Sequence, residues 1–306
     1  MTRVSVAIPT MGRETLSATL RSLERQTMMP YEVLVVNQGP KDVEVREQWN
    51  LPIKWLHQDA RGLSRARNRA LDEFSGDWVL FTDDDQEVNA EWVEQLVSLA
   101  SLYPEASIIG GAVFPPTRYD SEALFVSEMY VHGEVLICRE NYLQPGIAPH
   151  VQNDIWGGNF ALSRACIEKV GRYDEAFGRG SGVFEVGEDT DYMMRVISSG
   201  LTGLLSCRLI IYHTYGTRPH GPQNTDELIE MCAALHWKAS QDGSPIEREI
   251  ARRIHPYGKK KAMASRLTGG KLFGDEAHRQ AIFDEKTAML NQGWTLSGGC
   301  LKRKEQ

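Results

Sequence analysis

Long apolar runs, cysteine pairs and phosphate-loop signatures are all missing from this chain of 306 residues. No apolar stretch approaches the eighteen or so residues needed to cross a bilayer. The opening "MTRVSVAIPT" enters a strand-like pattern at once, without a basic region leading into a long apolar one, so no signal peptide is expected. Five cysteines, Cys138, Cys166, Cys207, Cys232 and Cys300, are odd in number and lack CxxC spacing. That argues against a disulfide framework and a thiolate zinc site, and makes a reducing, cytoplasmic home the expectation. Basic excess is absent too: 34 Lys and Arg stand against 41 Asp and Glu, a formal charge of −7. Nucleic acid is therefore not an expected partner, because phosphate contact needs a basic footprint. No GxGxxG follows the first strand-like run, and neither GxxxxGK[ST] nor GxSxG occurs. Dinucleotide dehydrogenases, Walker-type nucleoside-triphosphatases and α/β-hydrolases are disfavoured accordingly.

What is present is an alternation of element types. "VSVAIPT" (4–10), "YEVLVVNQG" (31–39), "IKWLHQ" (53–58) and "WVLFT" (78–82) read as buried strands. Between and after them, "ETLSATLRSLERQT" (14–27), "LSRARNRALDEF" (63–74) and "AEWVEQLVSLASLY" (90–103) carry apolar residues at helical spacing. Continuous apolar strands alternating with helices predict an α/β fold with a mostly parallel central sheet flanked by helices. "IIGGAVF" (108–114) and "LLSCRLIIYHTYG" (204–216) read as further strands, and "GEDTDYMMRVISSG" (187–200) as a helix. From about 221 onward the pattern is helical, with no strand. The expected partition is a catalytic unit over 1–220 and a helical extension over 221–306 for acceptor or membrane-surface contact. Within that extension residues 251–279 are basic, either a solvated face or a surface for anionic lipid or a phosphorylated acceptor, and hence for peripheral membrane contact.

Three groups of residues carry the chemistry. Asp83, Asp84 and Asp85 follow a strand directly, where like charges repel unless a cation compensates. Strand alternation would aim Asp83 and Asp85 to one side and Asp84 to the other. Oxygen ligands at a strand end suit Mg²⁺ or Mn²⁺ with substrate phosphates, and His213 at the end of "LIIYH" is either a packed histidine or a nitrogen ligand favouring Mn²⁺. Glu188, Asp189 and Asp191 open a helix, where the dipole favours carboxylates and Asp191 can pair with Arg195 at i,i+4. The glycine-rich approach "GRGSGVFEVG" makes Glu188 and Asp189 candidates for removing a proton from an incoming hydroxyl. Arg61, Arg65, Arg67 and Arg69 crowd a helix start, a poor place for cations unless an anion such as a diphosphate binds there.

In order, "VSVAIPTMGR", "YEVLVVNQG", "ARGLSRARNRAL", "WVLFTDDD", "WGGNFALSRACIEKVGRYDEAFG" and "GEDTDYMMRV" resemble glycosyltransferase family 2 with its GT-A fold, over residues 3 to about 215. The resemblance implies transfer of a sugar, with inversion, from a nucleotide diphosphate-sugar (a UDP-sugar first) to a carbohydrate or glycolipid acceptor, in polysaccharide or glycoconjugate synthesis. By the same resemblance Pro9, Thr10 and Arg13 lie near the nucleotide. Asn37 stands where members usually carry an aspartate for the uracil N3–H, and its amide oxygen could still accept. Arg67 and Asn68 match a pair near base and diphosphate. Asp83 and Asp85 look like the DxD motif, with Asp85 the metal ligand, Asp83 nearer the ribose and Asp84 an alternative. Trp156, Gly158 and Asn159 resemble the segment lining donor sugar and acceptor. Asp189 looks like the inverting base, with Glu188 beside it. Two rivals are a nucleotidyltransferase, whose glycine-rich, basic first loop "IPTMGRETL" lacks, and a non-catalytic carbohydrate- or nucleotide-binding protein on the same fold.

Overall fold

The computed structural model describes residues 2–45, 47–114, 135–137, 155, 157–213, 223–241, 248 and 276–304. The first hundred residues form parallel strands β1 (Val4–Thr10), β2 (Glu32–Asn37), β3 (Ile53–His57) and β4 (Trp78–Phe81), laid side by side in the order β3-β2-β1-β4. Helices α1 (Leu16–Glu24) and α2 (Leu63–Glu73) make the crossovers, and α3 (Trp92–Leu102) follows the short strand β5 (Gln86–Val88). Each strand points alternate residues to opposite layers. Val6, Ile8, Val33 and Val35 pack with Leu16, Leu20 and Leu23 of α1 and with Trp92 and Leu96 of α3. Ala7, Leu34, Val36 and Val79 pack with Ala66 and Ala70 of α2 on the other face. Each large aliphatic side chain buried this way contributes about 1.5–3 kcal/mol, which is why apolar periodicity alone sufficed to place these elements.

The sheet continues through β8 (Phe160–Ser163), antiparallel to both β4 and β6 (Ala106–Phe114), and then β9 (Thr202–His213), parallel to β6. Strands β5 and β7 (Val135–Ile137) pair antiparallel with β9. After β8 the Ser163 hydroxyl caps α4 (Arg164–Val170) by accepting from the Cys166 N–H, and Gly171, at φ 83°, ends it. Helix α5 (Glu188–Ser198) is entered through Gly187 at φ 103°.

The extension departs from expectation. Beyond α6 (Gln223–Gln241) and α7 (Glu276–Gly293) the chain forms an antiparallel hairpin, β10 (Trp294–Ser297) and β11 (Cys300–Arg303), turned by Gly298 and Gly299 at positive φ. An all-helical tail is thus corrected. Strands of four residues are too short to show a period, and the Gly-Gly turn is their one sequence signal. Packing is continuous across residue 220: Leu235, Trp237, Leu290, Trp294 and Leu301 share one buried cluster with Tyr173, Phe177 and Tyr192. No helix among the described residues is long and apolar enough to cross a membrane. Of the basic stretch 251–279, residues 251–275 lie outside the described residues, as does nearly all of 115–154.

Candidate active site

The carboxyl ends of β1, β2 and β4 lie together because Thr10 and Asn37 are register partners and Ala7 pairs with Phe81. In a sheet of this kind that edge is where ligands bind. Strand β4 stops at Phe81, so residues 82–85 turn toward β5 and the expected alternation of the aspartates does not extend through them. Asp84 and Asp85 share one cation, the half-exposed Arg13, whose Nη1 lies 3.4 Å from Asp84 Oδ1 and 3.2 Å from Asp85 Oδ2. Asp84 also accepts from the Thr10 hydroxyl at 2.6 Å. Asp83 is held instead by Gln86, whose Nε2 donates to it at 3.3 Å while its Oε1 accepts from the Asp83 N–H and the Thr82 hydroxyl. Burial raises Asp83 to about 6 against the opposing pull of Arg67, and raises Asp84 despite the Thr10 hydrogen bond and Arg13.

The second acidic group is built around a buried arginine. Arg67, 1% exposed, projects from α2, and its Nη1 donates to Asp189 Oδ1 at 2.6 Å and to Glu188 Oε1 at 3.2 Å. Its Nη2 donates to the Gly157 carbonyl at 2.9 Å, and the guanidinium lies over the rings of Phe160 and Tyr173. Burial disfavours its charge, but Asp189 and Glu188 outweigh that and hold it protonated. Asp189 is pushed up to about 8 by burial, which together with the repulsion of Glu188 and Asp83 exceeds the lowering effect of Arg67. A carboxylate so placed is a strong base once ionised.

A strip of bare backbone separates the two groups. A Cβ on Gly157 would collide with the Arg67 guanidinium and the Asp189 carboxylate. A Cβ on Gly158 would collide with the Gln86 amide and lie 2.8 Å from Asp83 Oδ2. The α5 acid thus lies beside Gly157 and the β4-end acid beside its neighbour Gly158.

Several expected ligands serve the scaffold instead. Asn159 is fully buried: its amide donates to the Ala112 and Leu209 carbonyls and its Oδ1 accepts from the Trp92 indole. Asn68, 2% exposed, exchanges bonds with the Tyr173 backbone and donates to Glu175. Neither amide is free to meet a sugar or a base. Asn37 is also fully buried, its Oδ1 accepting from the Gly39 N–H and its amide donating to the Pro40 carbonyl. Three of the four arginines expected to bind diphosphate are engaged elsewhere: Arg65 with Glu175, Arg69 with Glu73, and Arg67 with the α5 acids. Pro9 and Thr10 end β1 at the site, Gly158 lines it, and Trp156 lies outside the described residues. Sequence reasoning missed Gln86 and Gly157; a glutamine in a three-residue strand carries no signal, and the adjacent Gly157-Gly158 pair was the only clue.

The donors present suit a hard divalent cation. His213 Nε2 lies 3.7 Å from Asp85 Oδ1, and Asp83 and Asp84 are adjacent in the chain. Among the described residues no three His, Cys, Asp or Glu side chains form a ready-made cage. Mg²⁺ and Mn²⁺ do not require one, since they bind through one or two carboxylates and complete their shell with phosphate and water.

An open α/β sheet with acids at its carboxyl edge and an acid pair on a neighbouring helix is an architecture of the GT-A type. Residues 5–170 match the model described as "Glycosyl transferase family 2", and the chain belongs to that family, in which inversion is typical. It is 28% identical over 187 residues to a glucosyl-dolichyl phosphate glucuronosyltransferase of Haloferax volcanii, covering 58% of each chain. With the succinoglycan biosynthesis protein ExoM of Rhizobium meliloti it shares 25% identity over 286 residues, 88% of this chain and 81% of that one. Among solved structures it resembles S. aureus TarS (TM-score 0.63, 14% identity, 93% of this chain and 49% of that one). It also resembles the mannosyltransferase PcManGT from Pyrobaculum calidifontis in complex with GDP-Man and Mn²⁺ (TM-score 0.57, 18% identity, 95% and 81%). TarS 1–349 has been seen in complex with UDP and with UDP-GlcNAc.

Proposed function

We propose that this protein transfers a sugar from a nucleotide diphosphate-sugar to an acceptor hydroxyl with inversion, and that Asp189 is the base. The observation that carries this reading is the nearness of Asp189 to Gly157 and of Asp83 to the adjacent Gly158. That juxtaposition puts a proton acceptor beside the proposed diphosphate site. Asp189, held by Arg67 at 2.6 Å, takes the acceptor's proton as its oxygen attacks the anomeric carbon opposite the leaving nucleotide. Glu188 shares the arginine and keeps it protonated. Asp85 and His213 are the groups that would hold Mn²⁺ or Mg²⁺, with Asp83 and Asp84 adding negative charge. When bound there, the ion neutralises charge developing on the leaving diphosphate. Arg13, paired with Asp84 and Asp85, is the side chain that yields to it.

UDP-sugars are the first donors to test, on the strength of the TarS complexes; GDP-sugars follow, on that of the mannosyltransferase. Because Asn37 is committed to its own turn, a base contact by its amide requires that turn to open. The names of the Haloferax and Rhizobium relatives support a glycolipid or polysaccharide acceptor.

Asp189→Asn should lower transfer by roughly 10²–10⁴-fold while nucleotide affinity, read by calorimetry, stays within error. Wild-type transfer by that variant would remove Asp189 as the base. Dialysis against EDTA should weaken calorimetric binding of UDP, and unchanged affinity would remove the cation from the reading.

A further inference from the structure

Both members of the Arg67–Asp189 pair are anchored from behind by one lysine of the C-terminal extension. Asp191 lies two residues beyond Asp189 on α5, so the two carboxylates leave the helix in different directions. Asp189 meets Arg67, whereas Asp191 meets Lys238 of α6 and, at 3.0 Å, Arg195. Lys238 Nζ also donates to Asp174 Oδ2 at 2.9 Å. Asp174 belongs to the loop whose Tyr173 backbone exchanges hydrogen bonds with Asn68, the α2 residue next to Arg67. Lys238 therefore joins the helix bearing the base to the loop that pins the helix bearing its arginine.

All three charges are withdrawn from water, with Lys238 8%, Asp174 2% and Asp191 2% exposed. Three more contacts press the extension onto α5 and the loop before it. Met231 of α6 lies against Gly187, where a Cβ would meet its sulfur at 2.8 Å. The hairpin's Leu301 N–H donates to Asp174 Oδ2 at 2.7 Å, and its Gly299 lies beside Arg195.

We propose that Lys238 is a positioning residue, setting the placement of Asp189 against Arg67, so that docking of α6 and the terminal hairpin completes the catalytic unit. The proposal rests on Asp189 being the base. A misplacement of about 1 Å at a reacting group costs on the order of 10²-fold in rate.

The test is Lys238→Met, compared with Trp237→Phe on the same helix, which loses the indole's bond to Asn291 of α7 but leaves the lysine in place. With folding verified by circular dichroism, Lys238→Met should lower kcat by about 10–100-fold with donor affinity nearly unchanged, while Trp237→Phe keeps kcat. A folded Lys238→Met variant with wild-type kcat, or an equal loss in Trp237→Phe, would overturn the proposal. Should Lys238→Met not fold, the Lys238→Met/Asp191→Asn double variant keeps the buried charge balanced and is read in the same way. Asp189→Asn separates the two readings. If it stays active, the base assignment fails and takes this inference with it; if it is dead while Lys238→Met turns over normally, only the role of Lys238 falls.

Discussion

At the end of β4, Asp84 and Asp85 rely on Arg13, a half-exposed arginine; at the start of α5, Glu188, Asp189 and Asp191 are met by Arg67, Lys238 and Arg195, all buried. The first arrangement can exchange its cation for another more readily, because the half-exposed Arg13 guanidinium regains water when it leaves. The second cannot, because removing one partner strands a charge in low dielectric. On the proposed reading, one cluster receives a ligand and the other holds the base in fixed geometry.

The sharpest way to break this comparison is to remove each arginine in turn. Arg67→Met should cost about 3–5 kcal/mol in urea denaturation, since Glu188 and Asp189 would stay buried without their cation. Equal effects of Arg67→Met and Arg13→Ala would mean that the two clusters do not differ.

The pH dependence sharpens the contrast within α5 itself. Asp189 is raised to about 8 and Asp191 is depressed, the latter because Lys238 and Arg195 overcome the burial that would otherwise raise it. With Asp189 as the proposed base, transfer requires its ionised form, and kcat/KM should fall about tenfold per unit as pH drops below that value. Asp191 works in the opposite sense. Its depressed value gives stability that is present above the ordinary 3.8 and is lost as pH falls through the folded-state value. Activity should therefore fall well before the fold does; coincident loss, followed by assay and circular dichroism, would contradict the assignment. The smallest effect belongs to Arg13→Ala, at most about 1 kcal/mol of stability, checked by the same urea titration.

Much of this was readable in the sequence, for physical reasons. The strands and helices of the first hundred residues announce themselves because each has one buried face and a period that shows it. The acids were conspicuous because three adjacent carboxylates have no structural use. Their partners were not, since Arg67 and Asp189 lie 122 positions apart and only the fold brings them into contact. Asn68 and Asn159 misled for a related reason. An amide spent on buried carbonyls is indistinguishable, in a sequence, from one that waits for a ligand, and burial alone separates them. The strand β5 and the final hairpin escaped because segments this short carry no periodicity.

Gly157 and Gly158 stand where any side chain would be obstructed, the first by Arg67 and Asp189 and the second by Gln86 and Asp83. A methyl group at either position would act as a wedge, prising the α5 acid from its arginine at one residue and the β4-end acid from its glutamine at the next.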